Sequence, residues 1–261
     1  MRILISPAKR METDTDSLPW RDLPAFLPEA ERLLARLREL TDGELRELWR
    51  CNAVIAAQNV SRVRAVEVRR GLTPALLAYR GIQYQYMAPG VFSDREWDYV
   101  QAHLRILSGF YGLLRPLDGV VPYRLEMQAR LTGPGWKDLY GFWGRKLSAA
   151  LAAETEVVVD LASREYSRAV LPGLPPQVRA VTCVFGRLRE GRVVEQGTAC
   201  KMARGEMVRW MAEHRVTELE ELPSFGRLGY RFDPGRSGPA RYVFIQEGPQ
   251  GAEGSGKDGM F

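Results

Sequence analysis

Lysine is scarce in this chain. Of 37 basic side chains among 261 residues, five are lysines (Lys9, Lys137, Lys146, Lys201 and Lys257) and the rest are arginines. Histidine is scarcer, with only His103 and His214, and two distant imidazoles do not make a histidine-based metal site. Cys51, Cys183 and Cys200 are odd in number, widely spaced and lack a CxxC pair. They read as reduced thiols of a cytoplasmic protein. No metal site and no cofactor is expected. No apolar run approaches the roughly 20 residues that span a bilayer, and residues 1–7 hold too short an apolar stretch for a secretory signal. Neither G-x-x-x-x-G-K nor a strand-linked G-x-G-x-x-G occurs, which removes the main support for ATP hydrolysis and for Rossmann-type dehydrogenation.

What remains is an ordinary globular composition, 45% hydrophobic and 26% charged, with enough chain to bury a sizeable core. A net charge of +5 permits a polyanionic partner without demonstrating one, because a bias toward arginine codons raises the isoelectric point by itself. No repeat, linker or composition break divides the chain. The expectation is one α+β domain over residues 1–246, a mixed sheet wrapped by helices, followed by a flexible Gly-rich tail over 247–261.

Ile3-Leu4-Ile5 marks a buried strand over residues 2–6. Leu33, Leu34, Leu37 and Leu40 recur at helical spacing. Thr41-Asp42-Gly43-Glu44 reads as a capping box that opens a helix through Leu45, Leu48 and Trp49, and Thr73-Pro74 and Ser93-Asp94-Arg95-Glu96 open two more. Residues 107–140, rich in Gly, Pro, Tyr and Arg, read as turns and short irregular segments. Residues 157–161 form a buried strand, and residues 178–187 and 192–197 form a hairpin about Glu190-Gly191. Residues 200–214 form a helix, a short helix is capped at 217–220, and residues 228–232 and 241–245 form closing strands.

Three constellations bear on chemistry. Ser6-Pro7-Ala8-Lys9 fits the S-x-x-K pattern of serine acyl-enzymes, but the companion S-D-N and K-T-G motifs are absent and the pattern follows a strand. The more economical reading is a loop presenting Ser6 and Lys9 at the carboxyl end of a sheet, where open-sheet proteins bind ligands; a plain solvated loop is the alternative. Arg keeps its charge, whereas a desolvated Lys can serve as base or imine-forming nucleophile, which makes Lys9 and Lys201 the candidates for lysine chemistry. Arg115, Arg124 and Glu126 lie among glycines and tyrosines. They suit recognition of phosphate or carboxylate, or else the arginines pair with Asp118 and Glu126 to stitch a long loop. Arg62, Arg64, Arg69 and Arg70, relieved by Glu67, make a basic stretch fit to contact phosphates without reading sequence, or a solvated helix face.

Taken together, several segments resemble the YaaA family of bacterial peroxide-stress proteins. They are Ile3-Leu4-Ile5-Ser6-Pro7-Ala8-Lys9, Leu104-Arg105-Ile106-Leu107-Ser108-Gly109 through Tyr123-Arg124-Leu125-Glu126-Met127, and Lys137-Asp138-Leu139-Tyr140-Gly141-Phe142-Trp143. Leu161-Ala162-Ser163-Arg164-Glu165-Tyr166 and Lys201 with Ala203-Arg204-Gly205 complete the set. The resemblance implies a cytoplasmic single-domain protein with its own α/β fold, a role in limiting iron-linked oxidative damage, and DNA binding through a helix-hairpin-helix-like element near residues 41–62. Its polar motif residues fall here on Ser6, Lys9, Ser108, Arg115, Arg124, Glu126, Ser163, Glu165, Tyr166, Lys201 and Arg204. The chain departs from the family pattern at Gly81-Ile82-Gln83-Tyr84, at Gln128-Ala129 and at Glu206, and no Gly-rich hairpin is evident over 41–62. Two functions are carried forward. One is a stress protein holding DNA by its phosphates through Arg62, Arg64, Arg69 and Arg70. The other is an enzyme on an anionic nucleotide or amino acid. Its catalytic candidates are Lys9, Lys201, Glu165, Tyr166 and Ser6; Arg115, Arg124, Arg204, Ser108, Glu126 and Ser163 would bind the substrate.

Overall fold

A computed structural model describes residues 1–246; the expected Gly-rich tail lies outside the described residues. The main sheet contains β1 (Arg2–Ile5), β2 (Leu104–Ser108), β3 (Gly112–Leu114), β4 (Val157–Asp160), β5 (Arg179–Arg189), β6 (Arg192–Val194), β7 (Tyr230–Phe232) and β8 (Arg241–Gln246). Their spatial order is β7-β8-β5-β4-β1-β2-β3, with β6 attached to β5. Strands β8, β5, β4, β1 and β2 run parallel, while β3, β6 and β7 are antiparallel to their neighbours.

Ile3, Leu4 and Ile5 are fully buried, as a central parallel strand covered on both faces requires. The chain passes from β1 to its neighbour β2, then returns across β1 to pair β4 on the other side. Right-handed crossovers place those two connections on opposite faces, which opens a crevice at the carboxyl ends of β1 and β4.

Flanking the sheet are α1 (Leu27–Glu39), α2 (Asp42–Trp49), α3 (Ala53–Ala65), α4 (Ile82–Met87), α5 (Asp94–His103), α6 (Leu139–Trp143), α7 (Lys146–Glu154) and α8 (Gly197–His214). The capping boxes expected at Thr41/Glu44 and Ser93/Glu96 are both formed, opening α2 and α5. Helix α8 packs so closely on α4 that a Cβ at Gly205 would collide with the Gln83 carbonyl. The hairpin turn between β5 and β6 has Glu190 and Gly191 at φ 48° and 74°, the left-handed pair that a two-residue hairpin loop demands.

Two expectations are corrected and one strand is added. Over residues 107–140 the expected turns and short irregular segments are present, interrupted by β3 and the short strand Gly119–Val120, and they belong to the core: Phe110, Tyr111, Leu114, Leu117 and Val120 are buried. Strand β2, which leads into them, is buried along its whole length. Arg105 conceals this strand in the sequence by interrupting its apolar run. It is 4% exposed and is neutralised by Glu154, which its Nε reaches at 2.8 Å and which also takes Arg2 Nε at 2.8 Å. Thr73 does not cap a helix; its hydroxyl accepts the Asp14 N–H, and the helical turn Ala75–Ala78 starts on Pro74. The cap expected at Thr217 moves one residue on, with Glu221 accepting the N–H groups of Thr217 and Glu218.

Asp118 is 2% exposed and accepts the Arg115 backbone N–H at 2.8 Å. Burial raises its carboxyl from the ordinary 3.8 to about 7, with the nearby Asp22 charge adding to the rise. Between those values the native state holds a proton that the unfolded chain has released, so this group's stabilisation fades as pH rises through the window. Asp118→Asn keeps an acceptor but does not titrate. Its stability relative to the parent is expected to grow between pH 4 and pH 8, by at most about 4 kcal/mol, in urea melts at several pH values. A constant difference across that range would contradict the assignment.

Candidate functional site

Where β1 ends, Ser6 spans the crevice. Its hydroxyl accepts the Ser163 N–H at 2.8 Å and lies 3.2 Å from the Ser163 hydroxyl, while its carbonyl takes the Tyr84 hydroxyl at 2.9 Å. Across the gap, Asp160 closes β4 and shapes the following turn. It accepts from Ala162 N–H at 3.0 Å, from Ser167 at 2.8 Å and from Thr182 at 3.2 Å, and burial pushes its carboxyl up. That turn leads into the helical segment Arg164–Ser167, which carries Glu165 and Tyr166. Burial raises Glu165 and the Glu126 charge adds to the rise, against the Gln128 N–H that donates to it at 3.2 Å and against Lys9. Tyr166 is buried, which holds its phenol well above the ordinary range.

The segment bearing Glu126 reaches this crevice because Gly109 has no side chain. A Cβ there would stand 2.5 Å from the Leu125 carbonyl oxygen. Glu126 then lies 3.4 Å from Lys9 Nζ and 3.2 Å from an Arg124 terminal nitrogen, with both partners of the second pair 12% exposed. Ser108 ends β2 as a brace. Its oxygen accepts the Phe110 and Tyr111 N–H groups at 3.1 and 2.8 Å and bonds the Tyr123 hydroxyl at 2.7 Å. Tyr123 in turn bonds Tyr79 at 2.8 Å.

Ser6, Lys9, Ser108, Arg124, Glu126, Ser163, Glu165 and Tyr166 therefore gather at one end of the sheet. Arg115 does not join them. It follows β3, whose Leu114 pairs Ile106, so it sits toward the opposite end, 3.9 Å from Asp22. Lys201 is exposed on α8 and in no ion pair among the described residues. Arg204 is largely buried, 3.8 Å from Glu195, and its Nε has no partner among the described residues. Lys9 keeps 67% of its side chain exposed, so it lacks the desolvation that base or imine chemistry draws on.

The basic stretch is largely committed internally. Arg64 donates to the Arg38 and Leu40 carbonyls at 2.6 Å and to Asp42 at 3.1 Å. Arg69 pairs with Glu31 and Arg70 with Glu67 at 2.9 and 3.0 Å, and Arg62 is half-buried, which lowers its pKa. The structure also supplies what the sequence reading missed. Helices α2 and α3 form a hairpin whose turn uses Arg50 in the left-handed region at φ 45° instead of a glycine. Asn52 caps α3 by accepting the Ile55 N–H at 2.9 Å, a cap readable from Asn52 followed by Ala-Val-Ile. A cavity of about 630 Å³ opens between α2 and residues 126–132, lined by Lys9, Trp49, Arg50, Glu126 and Arg130 among others.

Burial pushes the thiols of Cys183 and Cys200 up, the reverse of the thiolate that reacts directly with peroxide. No helix among the described residues is long and apolar enough to cross a membrane.

Sheet and site together define a mixed α/β protein with a polar crevice at the reversal of its strand order. The family model for the peroxide stress protein YaaA matches residues 1–236. Relatives described as UPF0246 proteins include one from Lachnoclostridium phytofermentans, 47% identical and covering 94% of this chain and 96% of its own. One from Desulfitobacterium hafniense is 48% identical over 94% and 98%, and one from Lactiplantibacillus plantarum is 45% identical over 95% and 100%. The chain belongs to the YaaA peroxide-stress family.

The Ser6 bridge is expected to carry measurable stability. Ser6→Ala leaves the Ser163 N–H without its acceptor and is expected to cost about 1–3 kcal/mol, read as a lower urea midpoint. Lys9→Ala removes only an exposed partner of Glu126 and is expected to cost less than about 1 kcal/mol. Equal losses in the two variants would remove the bridge from its structural role.

Proposed function

We propose that this peroxide-stress family member acts by binding DNA through backbone phosphates, with the α2–α3 hairpin as the contact. One observation carries the reading. The start of α3 exposes Asn52, Ala53 and Val54, and it is flanked by exposed Arg46 and Arg50, neither in an ion pair among the described residues. Amide groups at a helix N-terminus together with uncommitted guanidinium groups suit a phosphate backbone. Arg62, Arg69 and Arg70 extend the basic surface beyond the hairpin, and Arg69 and Arg70 must first leave exposed acidic partners. Arg64 contributes by clamping the end of α1 to α3.

Binding to a labelled duplex, followed by fluorescence anisotropy across a salt series, tests this. Affinity is expected to fall steeply with salt and to depend little on sequence. The Arg46→Ala/Arg50→Ala pair is expected to reduce the log–log salt slope by about 2, and Arg69→Ala/Arg70→Ala by less. A double hairpin variant that keeps both affinity and slope would sink the hairpin contact.

A second reading rests on Glu165, whose raised carboxyl lies near Lys9 and Glu126. In it, the crevice turns over an anionic nucleotide or amino acid, with Glu165 or Tyr166 moving a proton and Lys9 or Lys201, exposed in the free protein, acting as base or forming an imine once substrate covers it and excludes water. Borohydride reduction in the presence of carbonyl-bearing candidates is expected to leave a mass-shifted peptide containing Lys9. No adduct on Lys9 or Lys201 would remove the imine role.

A further inference from the structure

Strand β5 outruns the strand beside it. Its last pairing with β4 joins Thr182 to Asp160, and it then runs on to Arg189 before β6 folds back along it. At about 3.3 Å per residue the extension reaches roughly 20 Å past β4. Because β5 is parallel to β4 and β1, it does so at the carboxyl end of the sheet, where Ser6, Asp160 and Ser163 shape the crevice.

The two strands of this ribbon carry arginine where they face each other. Arg189 pairs directly with Arg192 across the Glu190-Gly191 turn, and Arg187 with Val194. Side chains two apart in a strand share a face, so Arg187, Arg189 and Arg192 lie on one face of the ribbon. Arg189 and Arg192 are exposed, and none of the three is in an ion pair among the described residues. The carboxylates at hand do not neutralise them. Glu190 stands in the turn without an ion pair among the described residues, and Glu195, just after β6, lies 3.8 Å from Arg204. Arg187 is steadied by Gln246, whose Oε1 accepts its Nε at 2.8 Å. Like charges directly opposite on a sheet destabilise it. Packing does not call for them either, since Leu188 and Val194 beside them are 44% and 37% exposed. Cations that the fold neither needs nor neutralises are fitted to negative charge brought from outside.

We propose that the β5–β6 ribbon is a second DNA contact, in which Arg187, Arg189 and Arg192 bond phosphates of a duplex held against the carboxyl end of the sheet. A duplex presents closely spaced phosphates along a stiff rod, which suits cations fixed along a stiff ribbon better than a pliable acidic peptide does. A two-stranded ribbon is also narrow enough to enter the major groove. The inference rests on the reading that this protein holds DNA, and it assigns part of the hold to residues far from the α2–α3 hairpin in sequence.

Anisotropy of a labelled duplex across a salt series, with the full chain, tests the ribbon. Arg189→Ala/Arg192→Ala is expected to lower the log–log salt slope by about 2 and to weaken binding at low salt about tenfold or more. Arg189→Lys/Arg192→Lys keeps both charges and is expected to keep the slope. Arg189→Glu turns a like-charge cross-strand pair into an opposite-charge one. It is expected to raise Tm, more at low salt than at high, while weakening duplex binding, an outcome that a folding defect cannot produce. The proposal is overturned if Arg189→Ala/Arg192→Ala and Arg189→Glu both keep the parent's affinity and slope. It is also overturned if a poly-glutamate peptide binds the parent as tightly as a duplex of equal charge and is weakened as much by Arg189→Glu. Loss of slope in the Arg46→Ala/Arg50→Ala pair with none in the ribbon variants removes the ribbon and keeps the hairpin. The converse removes the hairpin and keeps the ribbon, and a parent that binds no duplex removes both.

Discussion

Two parallel strands, β1 and β4, lie side by side although the chain visits β2 between them. Their backbones pair only within the sheet and must part at its carboxyl end, which leaves a gap that backbone alone does not fill. The Ser6 hydroxyl fills it by accepting the Ser163 N–H at 2.8 Å. A hydroxyl suits this position because it accepts the Ser163 N–H while its own O–H donates to the Ser163 hydroxyl, tying the loop after β1 to the loop after β4 twice. The loop of Lys9 and the helical turn of Glu165 and Tyr166 both depend on that junction for their placement.

Around this junction the protein keeps charge in places where an apolar core would be easier to build. The Glu126 segment sits against the end of β2 only because Gly109 is bare, and it carries a carboxylate and an arginine that are each 12% exposed. Enclosing such a pair costs desolvation that its mutual attraction seldom more than offsets. Leaving Glu126 Oε1 and Arg124 Nε without hydrogen-bond partners adds to that cost. The Arg105–Glu154–Arg2 group at the other end of the sheet is different. There Glu154 is bonded by both guanidinium groups and braces β1 and β2 to α7. Charge at that end is fully hydrogen-bonded, whereas the Glu126–Arg124 pair at the carboxyl end is held at 3.2 Å by charge, with Glu126 Oε1 and Arg124 Nε left out of hydrogen bonds among the described residues.

Much of the scaffold was legible because it follows local rules. Ile3-Leu4-Ile5, the capping boxes at Thr41 and Ser93, and the Glu190-Gly191 turn each carry their own geometry in a few neighbouring residues. Strand β2 was not legible, because Arg105 breaks its apolar run and the partner that makes it tolerable, Glu154, is 49 positions away. The α2–α3 hairpin was missed for a related reason. The left-handed position in its turn is taken by Arg50, at the strain of a side chain, where glycine is the usual signal. The site was legible in part. Ser6, Lys9, Glu126 and Glu165 were named from motifs, and their convergence follows from strand order, which no local pattern contains.

The scarcity of lysine takes on a different meaning once partners are assigned. Arginine forms several directed bonds from one planar group, and here many are spent on backbone carbonyls. Arg38 reaches those of Val63 and Val66, and Arg64 those of Arg38 and Leu40. Such arginines weld helix ends together and offer little to a polyanion, however much they raise the isoelectric point. The electrostatic surface that matters is the remainder, the exposed arginines in no ion pair among the described residues, and Arg46, Arg50 and Arg130 are three of them. Arg50 and Arg130 line the cavity beside α2, and Arg46 lies one turn before Arg50 on that helix. A polyanion held at the hairpin is met by guanidinium groups of this free kind, not by the welded ones, so the isoelectric point overstates the surface it can use.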